Sequence, residues 1–88
     1  MKYIFPKSIH THEEQEIIER AVINRALQCA KTEQATHNSP HKDYWYIVID
    51  ELARFVFKAD WESLAIARAD GWHEKMDCQV FVVKVKKA

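Results

Sequence analysis

Apolar and polar positions alternate in two rhythms along this chain. Between Thr11 and Ala35 the apolar residues Ile17, Ile18, Ala21, Val22, Ala26, Leu27, Cys29 and Ala30 recur three and four apart, the period of a helix with one buried side. Thr11 and Glu14 stand in capping-box spacing: the Thr hydroxyl can accept from the Glu14 amide, and the Glu14 carboxylate from the Thr11 amide. Glu13, Glu14 and Glu16 fall in the first turns, where the positive end of the helix dipole favours them. Pro40 forbids a helix beyond the late thirties. The helix can run to about Ala35. It would then outreach strands of six or seven residues, unless it ends near Lys31.

Elsewhere the rhythm is that of strands. Lys2–Phe5 alternates and is closed by Pro6, which reads as a short first strand. The stretch "YWYIVIDELARFVFKADW", residues 44–61, opens with a continuous aromatic and β-branched run, Trp45 to Ile49. It continues with an alternation that sets Phe55, Phe57 and Ala59 on one face and Arg54, Val56 and Lys58 on the other. A helix would gather Asp50, Arg54, Lys58 and Glu62 on one side, but its first two turns would be apolar all round. Two strands, residues 44–49 and 54–59, fit better, joined by a loop on a type I turn that begins at Asp50. Asp60 suits the cap of a second helix with Trp61, Leu64, Ala65 and Ala69 facing inward. Gly71, the only glycine, suits its left-handed C-terminal position. "CQVFVVKVKK" is a last strand, with Phe81, Val83 and Val85 on one face and Val80, Val82, Lys84 and Lys86 on the other.

The resulting order, β-α-β-β-α-β, predicts a ferredoxin-like α+β fold. Its four-stranded antiparallel sheet would carry both helices on one face, within a single domain over residues 1–88. Composition agrees with a packed core, at 48% apolar and 11% aromatic residues. Thirteen basic residues balance thirteen acidic ones, so the chain lacks both the charge excess of a disordered segment and the basic footprint of a general nucleic-acid binder. Two cysteines without a CxxC spacing point to a reducing, cytosolic setting. No apolar run reaches the ~18 residues of a membrane span, and the first ten residues lack a signal-peptide apolar core.

The candidate chemistry is sparse, and no cofactor is implied. His10, His12 and His73 would meet at one end of this fold, near Asp77 and Cys78, as a zinc-like or acid–base set. His37 and His41 read as loop residues at the other end. Cys29 reads as a core hydrophobe, and Asp77 would raise the thiol pKa of Cys78. One glycine cannot build a phosphate-binding loop. Tyr3 and Phe5, with Phe55 and Phe57 on a neighbouring central strand and Lys84, Lys86 and Lys87 at the rim, could form a stacking platform for single-stranded nucleic acid. The cheaper arrangement turns the phenylalanines inward and Arg54 and Lys58 outward. A helix-free sheet face would then show Trp45 or Tyr46, Val56, Val80 and Val82, an apolar surface suited to a protein partner or to self-association. The expected function is a small interaction or regulatory module without catalysis, such as a phage- or plasmid-type inhibitor, an antitoxin-like binder or an accessory subunit.

Overall fold

The computed structural model describes residues 2–5 and 9–88, with the side chains of residues 2–4 outside the description. Its elements are β1 (Lys2–Phe5), α1 (His12–Thr32), β2 (Tyr44–Asp50), β3 (Phe55–Ala59), α2 (Glu62–Met76) and β4 (Val80–Lys86). The capping box forms: the Thr11 hydroxyl accepts from the Glu14 amide at 3.1 Å, and the Glu14 carboxylate accepts from the Thr11 amide at 2.8 Å. The bond from the Thr11 amide, with the Thr11 side chain beside it, holds the Glu14 carboxyl below its ordinary pKa. α1 stops at Thr32, so "EQAT" belongs to the loop and the helix does not outreach the sheet in the way its longest reading allows.

The ferredoxin-like sheet does not form. The sheet that carries the core is three-stranded and antiparallel, β4-β2-β3, and the body of the fold runs α1-β2-β3-α2-β4. The four-residue β1 lies along the outer side of β4, at the opposite edge from β3. The ferredoxin-like plan would have set the first and third strands side by side in the centre. Here β2 and β4 hold that place.

The helices also sit on opposite faces rather than together. Val22, Ala26 and Cys29 of α1 pack on Ile47, Ile49, Phe81 and Val83. Ala65 and Ala69 of α2 pack on Val48, Val80 and Val82. Cross-strand pairs Ile47↔Val83 and Val48↔Val82 alternate along the same ladder, so these two clusters lie on the two sides of one sheet. The physical reason is the pair of unbroken apolar runs, Trp45 to Ile49 and Val80 to Val83. Strands apolar on both faces belong in the middle of a sheet covered on both sides.

The β2–β3 hairpin follows the expected strands, with its turn built on Asp50. The Asp50 carboxylate, fully buried, accepts from the amides of Leu52 and Arg54 (both 3.0 Å), from Arg54 Nε (2.6 Å) and from Trp72 Nε1 (3.2 Å). Ala53 completes the turn in the left-handed region at φ 59°, where glycine is the usual occupant. A bulge then interrupts the ladder: Ile49 pairs with Phe55, but Val48 pairs with Phe57. The extra residue, Val56, reverses the alternation, so Phe55 packs under α1 and Phe57 under α2. Phe55 and Phe57 therefore do not share a face. Lys58 is not on a solvated face either: its Nζ donates to the Ala30 and Glu33 carbonyls at 2.8 and 2.7 Å and so closes the C-terminal end of α1. Burial lowers the Lys58 pKa there.

Gly71 lies inside α2 rather than at its end. The helix runs on to Met76, and Asp77 adopts the left-handed cap at φ 53°.

Candidate functional site

The ends of the sheet differ in character. At the end where β2 finishes and β4 starts, the predicted histidines are separated. His10 Nε2 lies 3.2 Å from Glu51, and His12 Nε2 lies 3.1 Å from Glu16 on exposed helix surface. His73 donates from Nδ1 to the Cys78 carbonyl at 2.8 Å and packs on the Phe5 ring. The N-terminus of α1 and the C-terminus of α2 do reach the same end, but the sheet stands between them. Among the described residues no three His, Cys, Asp or Glu side chains are grouped to hold a metal ion.

The other end is organised around Asp60. It follows β3, is buried, and leaves the helix cap to Trp61, which makes no side-chain capping bond. Its Oδ2 accepts from Lys87 Nζ at 2.8 Å and from the Ser39 amide. Its Oδ1 lies 2.6 Å from His37 Nδ1, the donor, because an ionised carboxylate only accepts. Burial alone would raise the Asp60 pKa, but the bonds from Lys87, Ser39 and His37 outweigh it and hold the carboxyl well below its ordinary range. Lys87 also donates to Asn38 Oδ1 and the Ser39 carbonyl, at 3.0 and 3.1 Å. Backbone bonds add to this knot: the Thr36 amide donates to the Lys58 carbonyl and the Asp60 amide to the His37 carbonyl, so the loop lies on the open edge of β3. The Trp45 ring lies beneath both cations, 4.4 Å from Lys58 Nζ and 4.3 Å from Lys87 Nζ.

Beside this knot a cleft opens between the start of β2 and the first turn of α2. Tyr44, Tyr46, Trp61 and Ile66 supply its aromatic and aliphatic walls, and Lys42, Asp43, Glu62 and Ser63 its rim. Asp60 lies at its base. Trp61 is 50% exposed and Tyr44 37%, so large rings face solvent at a place the knot keeps rigid. The His37 ring leans on Trp61 with centroids 5.4 Å apart, and Lys84 Nζ lies 4.2 Å over the Tyr44 ring.

The sequence-derived surfaces are redistributed by this geometry. Val80 and Val82 are buried under α2 and are not presented on an open sheet face. Val56 is half-buried at the edge beside them. Trp45 points to the α1 side and Tyr46 to the α2 side; of this set only Tyr46 lines the cleft. In the stacking-platform set, Phe5 packs against the α2 cluster and the side chain of Tyr3 lies outside the described residues. Lys87 is committed to Asp60, whereas Lys84 covers Tyr44 and Lys86 is exposed. His37, Tyr44, Asp60 and Trp61 are the residues that sequence reasoning missed. Comparison with protein-family models, with curated proteins and with solved structures finds no match for this chain.

Proposed function

We propose that the protein is a small, non-catalytic interaction module that engages a partner protein through the cleft between β2 and α2. One observation carries this reading: Tyr44 and Trp61, two half-exposed rings, wall a concave site whose frame is pinned by a buried, fully bonded carboxylate. Tyrosine and tryptophan dominate binding hot spots because they bury large area with few rotors to freeze. A pre-formed frame lowers the ordering cost of association. Both cysteines are free, which supports a reducing compartment, and we place the module in the cytosol. Among the described residues no helix is long and apolar enough to cross a membrane.

The test is affinity capture of a partner by the intact chain, compared with the Tyr44→Ala/Trp61→Ala double variant. A partner retained by the parent and lost by a variant with unchanged circular dichroism supports the reading. Equal capture by both sinks it. One observation favours a second reading, single-stranded nucleic acid: Lys84 lies over Tyr44, and Lys42 and Lys86 stand close in the same region. That reading expects oligonucleotide binding that weakens steeply with salt and fails in the same double variant.

A further inference from the structure

α1 carries a second stripe on the side away from its buried one. Glu13, Ile17, Arg20, Asn24, Leu27 and Lys31 are all exposed and follow one another at steps of four, three, four, three and four. That spacing keeps one line along a helix and is the seam of two helices packed side by side. The buried stripe of the same helix is Val22, Ala26 and Cys29, on the opposite side. Ile17 is 65% exposed and Leu27 48%, so both present aliphatic surface along the stripe. Glu13, Arg20 and Lys31 make no ion pair among the described residues.

The stripe is its own complement when read backwards. Laid antiparallel on a second copy, with the two-fold axis passing outside Val22, Glu13 of one helix meets Lys31 of the other. Ile17 then meets Leu27, and Arg20 meets Asn24, each twice by symmetry. Ile23, also exposed, flanks the seam on one side and there faces Ile23 of the second copy. A parallel pairing would instead set Glu13 against Glu13 and Lys31 against Lys31. From Glu13 to Lys31 the seam is about 27 Å long at ~1.5 Å per residue.

We infer that α1 is a homodimer interface in which two copies of this chain pack antiparallel along the Glu13–Lys31 stripe. The contact is isologous, the form most symmetric dimers take. It does not rest on the cleft reading: the seam lies on the α1 face of the sheet and the cleft walls on the α2 face, so a dimer leaves both clefts open.

Sedimentation equilibrium over a concentration series tests the inference. The parent chain passes from its monomer mass of 10.4 kDa toward twice that value. Glu13→Lys sets Lys against Lys31 at both ends of the seam and weakens association at least tenfold, and Leu27→Lys does the same at the apolar positions. Glu13→Lys combined with Lys31→Glu restores the pairing with its signs exchanged and returns the parent's association. All these positions are exposed, and unchanged thermal midpoints at low concentration confirm that each monomer is folded. A parent chain that stays at monomer mass up to about 1 mM, a binding free energy of only ~4 kcal/mol, overturns the inference. So does a dimer indifferent to Glu13→Lys, or a charge exchange that fails to restore it.

Discussion

Asp60 shows how much one side chain can organise. Its carboxylate ties together a loop histidine, a loop amide and a C-terminal lysine, adding to the backbone bonds that set the loop on β3. Asp60→Asn keeps the shape but removes the charge, turning one of the acceptors into a donor opposite Lys87 or His37. Hydrogen bonds to buried charge contribute roughly 1.5–3 kcal/mol, so this variant should unfold at lower urea with a loss of about 2 kcal/mol or more. The same residue sets a pH response. Its pKa is lower in the folded chain than the ~3.9 of an unfolded Asp, so the unfolded state takes up the proton first as pH falls. Asp60 therefore stabilises the fold above about pH 4 and loses that contribution below it. Urea midpoints measured between pH 7 and pH 2.5 should fall more steeply for the parent than for Asp60→Asn; parallel curves would exclude this role.

At the scale of elements, the helix ends and strand spans were largely legible. The capping box names the start of α1 and the Asp50 turn names the hairpin, because both depend on side chains bonding within five residues of their own position. The partners of those bonds are neighbours in sequence, so spacing alone reveals them. What escaped was longer in range. The bulge at Val56 cannot be seen in the "RFVFK" alternation, and it alone separates Phe55 from Phe57. Asp60 looked like a helix cap because caps commonly precede a helix by one or two residues; its true partners are at 37, 39 and 87. Gly71 looked like a helix end because glycine usually is one. Inside α2 it is a weak point: a Cβ there would meet no atom within 4 Å, and its backbone is not left-handed. Gly71→Ala should therefore raise stability by about 1 kcal/mol, read as a higher thermal midpoint with unchanged spectra. No gain would mean that the helix is already strained or frayed there.

For the whole molecule, the decisive feature was visible but its meaning was not. Trp45 to Ile49 and Val80 to Val83 are apolar without interruption, and an uninterrupted strand has two faces to cover. Reading those runs as central strands would have placed the helices on opposite sides and removed the supposed open face. It would also have moved the search for a partner from the middle of the sheet to its rim, where Tyr44 and Trp61 stand. The cleft itself depends on the loop from Thr36 to Asp43 folding back on β3, which no local pattern announces.

The central position of β2 and β4 has a kinetic consequence. β2 meets β3 across a short turn, but it meets β4 only after the whole of α2 has been spanned: Val48 pairs with Val82. Pairing strands so distant in sequence requires chain entropy to be lost before burial compensates it, and such contacts slow folding. The hairpin can form early and wait; the sheet acquires its middle only when β4 arrives. Val82→Ala should accordingly slow refolding in stopped-flow mixing, while Ala26→Gly in α1, destabilising by a comparable amount, should mainly speed unfolding. If both act on unfolding alone, β4 and α1 both dock after the barrier and the nucleus lies elsewhere, as in the β2–β3 hairpin.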